Sequence, residues 1–383
     1  GNGFLYVDDI SVYDPLYATW TGSISSDWAN IGNWIPNSIP TSGINVIIPG
    51  GLTNYPTISA PASCNNITIA SGASLLDNGN LTVSGTATVN RNYAGGEWHL
   101  ISSPISNATA NMFLDLYLQK HTESTNAYTD ITAPTTPLNV MQGYALWNDL
   151  ASTASFVGTI NTGDIGSSNN VTRNGQGWNL VGNPYASPID WDAASGWTKT
   201  NVENATYRHV NNATWASYVG GVGTNGGSRY IPSCQGFFIG VTSGFTTGTL
   251  TMTNAVRTHN TSTFYKDEVS DIVRLEVSGN GYTDETVIRF LDVASSDFDG
   301  QWDAHKLFGS VDEAPAIYSV DNDMMAINSI PATNTVSVGV KAGVPGEFTI
   351  TATETSEFTD IILEDLLTGT ITDLKNNSYT FNY

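Results

Sequence analysis

Residues 174–192 read NGQGWNLVGNPYASPIDWD. Leu180 and Val181 suit a sheet, and Pro184 and Pro188 cannot donate to a ladder, so a strand must stop there in a rigid corner. An earlier stretch, GEWHLISSPIS at 96–106, has the same design: Trp98 answers to Trp178, Leu100 to Leu180 and Pro104 to Pro184. Working outward, VMQGYAL at 140–146 answers to SCQGFFI at 233–239, with Gln142-Gly143 matching Gln235-Gly236. Each is followed by a Gly-Thr-apolar strand start, at Gly158 and at Gly248. Three landmarks recur in one order, roughly 80 to 93 residues apart, too far for a solenoid turn and too close for separate domains. The spacing predicts a duplicated half-sandwich, with the second copy's extra residues inserted between Asp190 and Tyr230.

Composition points the same way. Only 13% of residues are charged while 40% are hydrophobic, and Asn, Thr, Ser and Gly fill the difference. Long helical patterns are absent and turn-formers separate short apolar runs, so the fold class is all-β, with enough aromatic area to exclude disorder. The expected architecture is tandem β-sandwich and short β-solenoid modules with an internal duplication. The net charge of −22 repels phosphate backbones and anionic lipids, so no nucleic-acid partner is expected. No run of 18 apolar residues occurs, so no membrane insertion is expected either. Cys64 and Cys234 both sit in strand-like apolar contexts, and a disulfide and two buried thiols both fit.

Four units are expected. Residues 1–16, GNGFLYVDDISVYDPL, read as the last strand of a preceding domain, which makes the chain a piece of a longer polypeptide. Residues 17–93 carry Trp20, Trp28 and Trp34 ahead of short strands at 45–48, 66–69, 73–76 and 81–83, a solenoid-like or irregular sandwich with the three Trp rings covering one end. Residues 94–256 hold the duplication. Residues 257–383 alternate at 271–277, 286–291, 335–340, 347–350 and 360–364, as strands with one wet and one dry face do.

Several of these stretches resemble a known family. FLYVDDISVYD resembles the closing strand of jelly-roll modules of the carbohydrate-binding or laminin-like kind. That resemblance implies structural calcium ligation by Asp8 and Asp9; two exposed acids at a strand end are the other reading. The pattern at Trp20, Gly22, Asp27, Trp28, Asn30, Asn33, Trp34, Pro36, Pro40 and Thr41 is similar to modules of secreted Bacteroidota surface proteins exported by type IX secretion. So are Asn45, Val46, Ile48 and Pro49, and the runs at 64–69, 177–191, 298–307, 363–369 and 379–381. The resemblance implies an extracellular, secreted or surface-attached, adhesin-like protein. It implies no single activity, and the family's C-terminal sorting domain is not among these residues.

The 190–230 insertion holds Trp191, Trp197, Trp215, Tyr218 and Tyr230 among Asn and Gly, a pattern suited to stacking on sugar rings. Packing across the sandwich is the alternative. Asp297, Asp299 and Asp303 surround Gly300 and form the best metal candidate, a structural calcium in a β-loop, although the spacing is not that of an EF-hand. Turn capping is the alternative. The G-x-G-x-x-G at 221–226 opens no helix and reads as a loop. No G-x-S-x-G, H-E-x-x-H or C-x-x-C motif occurs, and the five histidines show no ligand spacing. The functional expectation is a non-catalytic adhesive or structural segment of a surface protein. Its partners would be a glycan, another cell-surface ligand, or copies of itself in a fibre. The alternative is the carbohydrate-binding and spacer region of a secreted polysaccharide-degrading enzyme.

Overall fold

The computed structural model describes residues 14, 16–166, 170–260, 269–355 and 358–383. Among these the chain is all-β: strands in several sheets, with four single-turn 3-10 segments and no α-helix.

The first element is a solenoid. Strands Tyr17–Trp20, Asn45–Ile48, Ile67–Ile69 and Ala87–Tyr93 stack in parallel, with Ala18 beside Val46, Val46 beside Ile67, and Ile67 beside Ala87. A second column runs Asp27, Thr57, Leu76, and a third pairs Ala62–Cys64 with Leu81–Val83, all parallel. Three- and four-residue strands cannot persist alone; stacked, each coil supplies the hydrogen bonds of the next. The period of two aims Val46, Ile48, Ile67, Ile69, Ala87 and Val89 inward, and all are buried. At the corner, Asn65 and Asn66 donate to the Asn45 side-chain oxygen (3.0 and 2.9 Å). Trp20, Trp28 and Trp34 form a buried edge-to-face cluster at the first coil (5.0 and 4.6 Å), as expected of a cap. The expected strand at 73–76 reduces to the bridging residue Leu76.

The duplication is visible in the hydrogen bonding. Glu97–Ser102 pairs antiparallel with Gly143–Asn148, Gly143 opposite Ser102. Trp178–Gly182 pairs antiparallel with Gly236–Gly240, Gly236 opposite Gly182, which is the same register. The copies then cross: Ile101 bridges Gln235 while its counterpart Val181 bridges Gln142. The Ser102 amide donates to the Cys234 carbonyl and the Gly182 amide to the Met141 carbonyl, both at 3.0 Å. Met141 and Cys234 share a left-handed backbone, φ 66° and 61°. This reciprocity is a local two-fold relation, and it accounts for the repeated Gln-Gly. A Cβ on Gly143 would lie 2.5 Å from the Val181 carbonyl oxygen, and one on Gly236 2.8 Å from that of Ile101. Only glycine permits the two backbones to approach this closely. The Pro-rich corner is knitted by buried Asn183, whose amide nitrogen donates to the carbonyls of Ser187, Ile231 and Pro232.

Strand Ser152–Ile160 of the first copy pairs with Ala87–Tyr93 and so extends the solenoid sheet. Arg257 and Asp77, both buried, form an ion pair of 2.6 Å between the solenoid and the segment after the second copy. The last sheet runs in the order Ser337–Lys341, Ala316–Asp321, Asp323–Ile330, Tyr282–Phe290, Ile272–Gly279, Glu347–Glu354, Tyr379–Asn382. It is antiparallel except where Tyr282–Phe290 meets Asp323–Ile330. It is fastened to the second copy by Asn225 on Glu285 (2.7 Å), Arg274 on the Gly223 carbonyl (2.7 Å) and Arg289 on the Gly220 carbonyl (3.0 Å). Leu100, Leu180, Tyr207, Val287, Ala304 and Ile327 share one apolar cluster, so the last sheet and both copies are packed together. Cys64 and Cys234 are buried free thiols.

Candidate functional site

Four of the five expected sugar-stacking residues gather around one ion pair, Arg229 with Asp190 (2.6 Å). Trp191 is fully buried, its ring nitrogen donates to the Asn204 carbonyl (2.7 Å), and the Lys199 ammonium sits 3.5 Å from its ring centre. Trp197 packs edge-on against it at 4.9 Å, and buried Tyr218 donates to the Asp192 carboxylate. Tyr230 is half-buried beside Arg229. The rings of Trp191 and Tyr218 are enclosed by the core, so no sugar platform can include them: aromatic area this large is more favourably buried against other rings than left wet. Trp215 stands apart and lines a groove with other residues.

The metal candidates divide as follows. Asp8 and Asp9 lie outside the described residues. Asp303 is buried and accepts the amides of Asp299 (2.7 Å) and Ser329 (2.6 Å). Asp299 accepts the Gln301 amide, and Asp297 accepts the Asn322 side chain. The three carboxylates thus cap turns and fix strand ends, and among the described residues no three His, Cys, Asp or Glu side chains are grouped to hold a metal ion.

The groove lies where both copies meet the last sheet. Two adjoining hollows, roughly 310 and 230 Å³, share Trp178, Leu307 and Phe308. Trp178 opens its strand half-buried, edge-on to Tyr207 (5.0 Å) and His305 (5.7 Å). The loop before it is held by Glu123, whose carboxylate accepts the Thr172 hydroxyl and the amides of Asn174, Gly175 and Gly177, at 2.8 to 2.9 Å. The outer hollow is walled by Trp215, Phe238, His121, Asn126 and Tyr128. Phe238 meets His121 edge-on at 4.9 Å, and Asn126 bonds both His121 (3.0 Å) and Gln176 (3.2 Å). From the opposite side come His305, stacked on Phe298 at 4.0 Å, and Asp323.

The charged groups in the inner hollow are almost all committed. The Lys306 ammonium lies 2.5 Å from Asp284 and donates to the Glu285 carbonyl. Arg173 donates to the Val241 carbonyl at 2.6 Å. His305 pairs with Asp323 at 3.0 Å; burial lowers its pKa, against the pull of that carboxylate. Glu203 is the exception. It is 4% exposed and lines the hollow, and its carboxylate makes no hydrogen bond or ion pair among the described residues. Its carboxylate occupies the space a Cβ on Gly240 would take. Burial pushes it up to about 7, and the Arg173 charge offsets only part of that.

The expectations from sequence missed this groove. Trp178 served there as a strand landmark, and Glu203 sits in a short Asn-flanked segment with no periodic signal. The chain matches the family model DUF8693, a domain of unknown function, over residues 19–95 and 66–383. The chain belongs to the DUF8693 family. The longer DUF8693 match takes in both copies, the last sheet and every groove residue named above. No curated protein and no solved structure matches the chain.

Proposed function

We propose that this chain is a non-catalytic adhesive segment of an extracellular surface protein, and that it holds a glycan in the groove beside Trp178. The observation that carries the reading is the combination of aromatic and polar walls. Trp178, Trp215, Tyr128 and Phe308 offer apolar faces to a sugar ring, and Asn126, Gln176, Arg173, Glu203 and Asp323 stand next to them as directional partners for hydroxyls. The walls come from strands and short loops on elements fastened to one another, so little ordering cost is added on binding. The action is retention, strengthened when several copies engage one surface.

The test is retention of the folded chain on a panel of soluble and insoluble polysaccharides. Trp178→Ala and Trp215→Ala are each expected to weaken retention about tenfold, the scale of one aromatic contact. Retention that survives both substitutions, or none on any glycan, contradicts the proposal.

A further inference from the structure

The groove contains one side chain whose environment asks for a specific complement. Among its charged side chains that of Glu203 alone has neither hydrogen bond nor ion pair among the described residues, and the residue is almost fully buried. A buried carboxylate without a donor is costly, and one that faces an open hollow can be satisfied by whatever fills it. No neighbouring basic group donates to it: Lys306 is paired with Asp284, Arg173 donates to the Val241 carbonyl and its charge offsets only part of the effect of burial on Glu203, and His305 is paired with Asp323. The ligand must therefore bring the donor.

We propose that the inner end of the groove is a site for a primary ammonium carried on a sugar ring, an amino sugar with a free amine, and that Glu203 is its counter-charge. This rests on the glycan reading and narrows it. A hydroxyl offers one donor and leaves the carboxylate's charge uncompensated, whereas an ammonium offers three donors and neutralises it. Trp178 lines the same hollow, and aromatic faces attract cations, as Phe308 beside it already does with the Lys341 ammonium (4.4 Å). The net charge of −22 draws cations toward the surface as a whole. Acetylating the amine would remove its charge and two of its donors while leaving the ring to stack.

The experiment is calorimetric titration of the chain, and of Glu203→Gln, with three tetrasaccharides. They are a fully deacetylated glucosamine tetramer, its N-acetylated counterpart, and cellotetraose. The chain is expected to bind the glucosamine tetramer at least tenfold more tightly than either of the others. Glu203→Gln is expected to bring the ratio of affinities for the free and acetylated glucosamine tetramers to about one, which also separates the site from general attraction to an acidic protein. Equal affinity for charged and uncharged tetramers, or a preference that Glu203→Gln leaves intact, overturns the amine site and leaves the glycan reading standing. Failure of the glucosamine tetramer to bind overturns the amine site, and the polysaccharide panel decides the glycan reading separately. If Glu203→Gln does not fold, judged by circular dichroism, the comparison of free and acetylated tetramers on the unaltered chain decides.

Discussion

Glu203 and Glu123 show how one residue type is placed in opposite electrostatic states. Burial without a donor pushes Glu203 up to about 7. Its folded pKa lies above the unfolded one, so its contribution to stability is fully present below the unfolded value and is lost as pH rises through about 7. Glu203→Gln keeps the shape and removes the titration. It is expected to leave stability at pH 4 nearly unchanged and to raise it at pH 8 by on the order of 2 kcal/mol, read from urea midpoints at both pH values. An equal effect at both would contradict this. For Glu123, burial alone would raise the pKa, but three backbone amides and the Thr172 hydroxyl outweigh it and hold the group below its ordinary value. Its stability is present above the unfolded pKa and is lost as pH falls through the folded one. Glu123→Ala leaves the buried Gly177 amide without its acceptor and is expected to cost about 1–3 kcal/mol. It should also loosen the loop that carries Trp178, seen as faster amide exchange at residues 174–177.

Among the elements, the two crossed strand pairs of the duplication are the most demanding. Gly143→Ala and Gly236→Ala each drive a methyl into a facing carbonyl oxygen, which neither backbone can yield without breaking its ladder. Each is expected to cost about 1–3 kcal/mol in a denaturant titration. Gly43→Ala, which meets nothing within 4 Å, should be near neutral and serves as the control. The duplication was legible in the sequence because a local two-fold relation imposes the same residue twice, as the paired Gln-Gly and the paired Trp-x-Leu show, whereas the crossing of the copies was not. The coils were legible because inward aim at every second residue leaves alternation in short strands. The growth of the solenoid sheet by Ser152–Ile160 was not, since pairing partners leave no trace in a single strand's pattern. Strands Ala316–Asp321 and Asp323–Ile330 were missed for a related reason: buried Ser319, Asn328 and Ser329 blur their alternation. The groove was illegible because its walls come from residues 121–128, 173–178, 203, 215, 238–240 and 305–324.

Over the whole molecule, shared cores replace separable units. One apolar cluster joins the solenoid to both copies through Ala186 and Cys234, and another joins both copies to the last sheet. A single cooperative unfolding transition is expected in calorimetry, and two well-separated transitions would contradict that coupling. Asp77→Ala strands the Arg257 guanidinium in the interior and is expected to cost about 3–5 kcal/mol. This rigidity bears on function, because the groove is formed where both copies and the last sheet pack together and its walls are set before a ligand arrives. Hydrogen–deuterium exchange with and without a retained oligosaccharide tests that location most directly. Slowed exchange is expected at residues 174–178, 238–240 and 305–308, with the surface around Trp197 and Tyr230 unchanged. Protection around Trp197 and Tyr230, with none at Trp178, would contradict it.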